Sequence, residues 1–157
     1  MLVHNLTKVM QYTIKVGLLC VGLLLAIHVN ALEFRSVAIN KAVLYDAPST
    51  EAKKVYVIAS GYPVEVIVNL GEWIKIRDHF GSLSWIQGKQ LSPKRMALIV
   101  NDKAELKQAE AEDAALLATF EKDVVVELVS GPKSGWVKVK HRDGLTGFIR
   151  SNALWGI

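Results

Sequence analysis

The stretch GWVKVK, Gly135 to Lys140, decides the fold, because EWIKIR, Glu72 to Arg77, says nearly the same thing sixty-three residues earlier. At that offset WIKIRDHFGSLSWIQGKQL (73–91) and WVKVKHRDGLTGFIRSNAL (136–154) run in step without a gap. Trp73/Trp136, Lys75/Lys138, Gly81/Gly144, Ile86/Ile149 and Leu91/Leu154 are identical, and Ile74/Val137, Ile76/Val139, Arg77/Lys140 and Trp85/Phe148 are close substitutes. Further upstream, PVEVIVNL (63–70) aligns with DVVVELVS (123–130), which asks for three extra residues at GPKSG (131–135) in the second copy. Surface loops absorb such insertions at little cost. A repeat of this length implies two similar small units rather than one larger domain.

The units are read as 33–91 and 97–157, joined by SPKRM at 92–96. The proline there resists continuation of a helix or strand. Inside each unit the apolar residues alternate: Val64, Val66 and Val68 against Glu65, Ile67 and Asn69, then Ile74 and Ile76 against Trp73, Lys75 and Arg77. Period two predicts strands with one face inward. Turn chemistry separates them at SGYP, NLGE, HFGS and RDG. Several short strands punctuated by tight turns predict a small closed barrel, which also removes exposed strand edges.

One segment argues the other way. AELKQAEAEDAALLATF (104–120) is rich in helix formers. Its apolar stripe is broken at Glu110 and Asp113, and the repeat equates it with VLYDAPSTEAKKVYVIAS (43–60), a strand, a long acidic loop and a second strand. The repeat register is followed here, so the segment is expected as strands.

The chain has 157 residues, a formal charge of +4 and a single cysteine, Cys20. Residues 1–31 hold Lys8 and Lys15, no acid, and the apolar run VGLLCVGLLLAI (16–27). As a helix that run spans ~18 Å, against about 30 Å for a bilayer core, and Val29 and Ala31 suit a signal-peptidase cut. The expectation is a signal peptide over 1–31, with the alternative of an uncleaved anchor, and export to the periplasm. Leu18 and Leu19 before Cys20 do not fit a lipoprotein cut. After cleavage the charge would be +2 and no cysteine would remain, which excludes thiol chemistry and thiolate metal sites. The balance is too mild to point to nucleic acid. Contact with membrane is expected only in passing, through the signal peptide.

GFIRSNAL (147–154), AVLYDAPS (42–49) and the Gly-x-Trp or Gly-Trp start of an apolar-Lys-apolar strand occur in the same order in both units. They resemble the bacterial-type Src-homology-3 domain, over roughly Val37 to the C-terminus. The resemblance implies an all-β fold, two tandem small Src-homology-3-like β-barrels behind an N-terminal signal helix. It also implies binding rather than catalysis: relatives hold peptides in an aromatic-lined groove, and bacterial ones often sit beside the cell wall, where some recognise peptidoglycan peptides. Tyr45 resembles the groove tyrosine of that family, with Lys107 in its place in the second unit. Arg150 stands where the groove proline would be, and Ala153 and Gln90 where a second groove tyrosine would be, so proline-rich peptides are not the expected ligand.

The candidate ligand-binding residues are Tyr45, Trp73, Lys75, Arg77, Trp136, Lys138 and Lys140. Alternation puts each Trp on a face with cations, opposite the core face, which would suit an anionic glycan-peptide or an acidic partner segment. The alternative is that each indole covers a neighbouring loop or the other barrel. Trp85 and Phe148 are read as barrel caps, and His79 and His141 as solvated turn residues unsuited to metal. No nucleophile elbow, acid–base pair or phosphate loop appears. The sequence therefore predicts a non-enzymatic docking module without cofactor or metal, its partner peptidoglycan or an envelope protein. The rival reading is a structural or regulatory subunit whose aromatic faces are buried against a partner.

Overall fold

The computed structural model describes residues 32–157, and the signal segment read at 1–31 lies outside the described residues. The first copy contains β1 (Phe34–Val37), β2 (Lys41–Tyr45), β3 (Lys54–Ala59), β4 (Pro63–Asn69), β5 (Trp73–Arg77), β6 (Leu83–Gln87) and β7 (Leu91–Ser92). The second contains β8 (Met96–Ile99), β9 (Lys103–Lys107), β10 (Leu116–Glu121), β11 (Val125–Leu128), β12 (Trp136–Lys140), β13 (Thr146–Arg150) and β14 (Leu154–Trp155). A 3₁₀ turn precedes the last strand of each copy, at Gly88–Gln90 and Ser151–Ala153. The strand orders β3-β2-β6-β5-β4-β1-β7 and β10-β9-β13-β12-β11-β8-β14 are the same order, and every described strand pairing is antiparallel within its own copy. Only residues 93–95 separate β7 from β8.

The repeated phrase pairs identically in both copies. Ile74 faces Ile86 and Lys75 faces Trp85; Val137 faces Ile149 and Lys138 faces Phe148. Inward residues build two separate cores, one around Leu44, Val64, Ile74, Ile76 and Ile86, the other around Ile99, Leu106, Val126, Val137, Val139 and Ile149. The turns use the expected chemistry. Asp78 Oδ1 accepts from the amides of Phe80 and Ser82 at 2.9 and 2.8 Å, and Asn69 Oδ1 accepts from Gly71 at 2.9 Å.

The helix-prone segment folds as β9, an acidic loop and β10. Ala104 and Leu106 alternate into the core and Phe120 closes over it. Burying these side chains outweighs an intrinsic helix preference of a few tenths of a kcal/mol per residue, roughly.

Two expectations are corrected. The upstream alignment of the copies slips by two residues: Glu65 pairs with Arg77 and Glu127 with Lys140. The offset is thus 62 before the hairpin and 63 after it, one extra residue rather than three. The corrected register sets Asp123 (φ 67°) on Gly61 (φ 80°), both in the left-handed region. Asp tolerates that conformation because its short polar side chain bonds locally. The histidines are also not free in solvent. His79 Nδ1 is hydrogen-bonded to the Tyr62 hydroxyl and its ring stacks 3.7 Å from Phe80, while His141 lies 4.9 Å from the Phe120 ring and 3.0 Å from Asp143. Each turn folds back over its barrel and carries its imidazole inward.

The two barrels touch along β1, β4, β8 and the C-terminus. Leu98 points away from its own core yet is only 1% exposed, sharing a groove with Tyr62 and His79 of the first barrel. Trp155 meets Phe34 edge to face at 5.2 Å, Arg95 stacks on Phe34 and donates to the Gly156 carbonyl at 2.9 Å, and Lys94 pairs with Glu127 at 2.8 Å.

Candidate functional site: an aromatic pair and a charged groove

β5 and β12 each begin at a tryptophan, placed where the strand emerges from a hairpin beside the start of a 3₁₀ turn. Alternation alone predicts that these indoles face water, and here the structure corrects it. Trp73 is 9% and Trp136 5% exposed. Tyr45, at the end of β2, meets Trp73 edge to face with ring centres 5.4 Å apart. In the second barrel Lys107 holds the position of Tyr45, since it faces Phe148 as Tyr45 faces Trp85. Arg150 supplies the missing cover, its Cζ 4.1 Å from the Trp136 ring centre. Glu112, from the acidic loop, fixes that guanidinium, accepting from Nε at 2.7 Å and also from Nη2.

The cations are spread along the same face rather than gathered at the indoles. Lys75 lies 5.8 Å from the centre of Trp85 and Lys138 5.7 Å from Phe148, so both cover the rings read as caps. Arg77 is 3.3 Å from the buried carboxylate of Glu65. Lys140 is exposed opposite Glu127, which Lys94 already holds. The structure thus joins Tyr45 with Trp73 directly and leaves Lys75, Arg77, Lys138 and Lys140 two to four residues further along their strands.

Trp136 forms the floor of a groove of roughly 200 Å³ walled by Lys107, Glu105, Glu112, Arg150 and Asn152. Lys107 and Glu105 are themselves paired at 2.8 Å. The wall carries both signs of charge around an aromatic floor, which suits a short peptide bearing carboxylates and an amine. Among the described residues no three His, Cys, Asp or Glu side chains converge as metal ligands. The Asp143 carboxyl is held below its usual range by the Leu145 amide and by His141, a turn effect without bearing on the groove.

Residues 38–93, and again 103–156, match the family described as bacterial SH3 domain. The chain belongs to the bacterial SH3 domain family. Each match covers one barrel from its second strand onward, and the acidic loops lie in the same place in both SH3 repeats. Among solved structures, NlpC2 and NlpC1 from Trichomonas vaginalis are similar at 14% identity, with TM-scores of 0.37 and 0.38. They cover 80% and 81% of this chain, which in turn covers 48% and 46% of theirs. An NlpC/P60 family protein from Bacillus cereus ATCC 10987 is similar at 16% identity and a TM-score of 0.37, covering 78% of this chain, which covers 55% of that one. The chain spans about half the length of these structures. No curated protein matches.

Sequence reasoning missed Arg150 and Glu112 as parts of the second SH3 groove. Arg150 was visible as a departure from the family pattern. Glu112 was not, because nothing in a run of acids and alanines says which acid reaches back across the barrel.

Proposed function

We propose that the chain is an exported, non-catalytic docking module that binds peptidoglycan or a protein of the cell envelope through its two SH3 grooves. The observation that carries this reading is the pairing of Tyr45 with Trp73 in one barrel and the charged groove over Trp136 in the other, at equivalent places of two family-matched repeats. Peptidoglycan stem peptides combine carboxylates, an amine and small apolar side chains, and the Trp136 groove offers partners for each. Two weak sites on one body reinforce each other when their ligand is a polymer.

The test is a pull-down on purified sacculi at low and moderate salt. The protein should sediment with the wall at low salt and be partly released as charge is screened. Tyr45→Leu with Arg150→Ala should release it, with thermal melts recorded on the same variant to show that it is folded. Protein that stays in the supernatant at low salt sinks the wall reading. Zymography on wall material is expected to show no clearing. The second reading, a structural or regulatory subunit, is favoured by the covered state of Trp73 and Trp136. Capture of a defined envelope protein that survives loss of both grooves would support it.

A further inference from the structure

Among the described residues, one exposed apolar run lies apart from the two aromatic sites. It lies on β3, which ends its sheet and pairs only with β2. Val55, Tyr56 and Val57 are all exposed in succession, Tyr56 by 71%. Half of the backbone N–H and C=O groups of such an edge strand point away from the sheet with nothing to bond, a template for another strand. Natural edges are blunted by charge, proline or bulges. On β3 the one lysine is Lys54 at its start, next to Lys53 and followed by a bulge at Val55, and beyond the bulge the strand continues as Tyr-Val-Ile-Ala. The equivalent positions of β10 to Tyr56 and Val57 are Ala118 and Thr119, so the fold does not require this surface.

The far end of β3 has exposed Lys41 beside it on β2 and acids on its other side. There the strand borders a groove of roughly 270 Å³, lined by Tyr56, Val57, Tyr62, His79 and Phe80, with Leu98 behind. Phe80 is 75% exposed. The two acids on this groove are Asp78 and Asp123, and Asp123 also borders the adjoining cleft beside Ser60 and Gly61, just past the strand. Among the described residues neither acid forms an ion pair with a Lys or Arg, and neither do Lys53 and Lys54 with an acid.

We propose that β3 is the interface of a two-fold symmetric dimer, in which the β3 strands of two chains pair antiparallel. Centred near Tyr56, this pairing sets Val55 of one copy against Val57 of the other, and Lys54 against Ile58. The lysines at the start of one strand then reach the Asp78–Asp123 end of the other, twice over by symmetry. One surface is thus complementary to itself in shape, hydrogen bonding and charge, as an isologous contact requires. The acidic groove end also sets this surface apart from one made for an anionic lipid. The dimer goes beyond the proposed function, and it would bring four SH3 grooves onto one body.

Sedimentation velocity over a wide concentration range tests it. The protein should show a monomer–dimer equilibrium that weakens with added salt. Tyr56→Lys puts like charges face to face at the two-fold axis and should abolish the dimer, with an unchanged melt because Tyr56 is exposed. Lys54→Glu should weaken it about tenfold, the equivalent of the two symmetry-related, partly screened charge pairs it disrupts. Adding Asp123→Asn to Lys54→Glu should recover part of that loss. A protein that stays monomeric throughout overturns the proposal and leaves the edge to a different polypeptide. A dimer indifferent to Tyr56→Lys and Lys54→Glu overturns it equally, since it forms elsewhere.

Discussion

Arg150 lies over Trp136, with its Cζ 4.1 Å from the ring centre, and Glu112 holds it there. The first barrel has no such contact, because Gln87 fills the position of Arg150 and Tyr45 covers Trp73 instead. Two repeats of one fold have therefore covered the same indole by different means, one aromatic and rigid, the other cationic and salt-sensitive.

Arg150→Ala should expose Trp136 and shift its emission to the red. The stability loss should be about 1 kcal/mol, the range for a partly exposed cation over an indole. Gln87→Ala should leave the emission unchanged. Glu112→Ala should reproduce a smaller part of the Arg150 effect, since an exposed ion pair contributes roughly 0.2–1 kcal/mol. Fluorescence with urea titration on the three variants checks all of it; equal responses from Arg150→Ala and Gln87→Ala would show that the guanidinium does not cover the ring.

Gly147 marks another difference between the copies. A Cβ at this position would lie 2.6 Å from the Lys107 carbonyl oxygen and 2.8 Å from Leu106 Cγ, so β9 crosses β13 at backbone contact. Ser84 takes the same register in the first barrel, so a Cβ is already accommodated there. Gly147→Ala should cost ~1–3 kcal/mol by overpacking, and Ser84→Ala clearly less. Urea midpoints for the two variants decide it, and a neutral Gly147→Ala would mean that β9 yields easily.

The strands, their turns and the doubling of the fold were legible because alternation and repetition both report backbone geometry. The segment 104–120 shows the strength of the second signal: composition favoured a helix, and the equivalence with 43–60 identified strands. The slip between 63–70 and 123–130 shows its weakness. Both stretches are runs of β-branched residues, and a shift of two preserves which side chains face inward, so the pattern cannot fix the register. The burial of Trp73 and Trp136 follows the alternative reading of covered indoles, but what covers them was not legible. Alternation tells which face a side chain takes, and not whether Tyr45 or Arg150 will lie across it. Leu98 is the same case, an outer-face position that only the neighbouring barrel buries.

Leu98 also carries a prediction about cooperativity. Its side chain fills the contact between barrels, next to Phe34–Trp155 and Lys94–Glu127. The wild-type protein should unfold in one calorimetric transition. Leu98→Ala should cost roughly 2–3 kcal/mol and broaden or split that transition, because it removes coupling between the barrels rather than core from one of them. Val137→Ala, in the second core, should by comparison lower stability without splitting. A Leu98→Ala protein that keeps a single sharp transition would place the coupling elsewhere.

Tyr62 sets the alkaline limit of the fold. Burial beside the second barrel pushes its phenol up to about 12, only partly offset by a hydrogen bond from the His79 backbone amide, and the nearby Asp78 and Asp123 push the same way. In the unfolded chain a phenol ionises near 10, roughly. The folded state thus favours the neutral phenol, and this contribution is fully present below the unfolded value and lost as pH rises through the folded one. Stability should fall between about pH 10 and pH 12. Phenolate absorbance should show one late-ionising tyrosine. Tyr62→Phe should remove that step and flatten the alkaline loss, while also removing the hydrogen bond between the Tyr62 hydroxyl and His79 Nδ1. An alkaline titration without a late phenol, or a Tyr62→Phe protein with the same alkaline loss as wild type, would show that the junction is open to water and that Tyr62 does not fasten it.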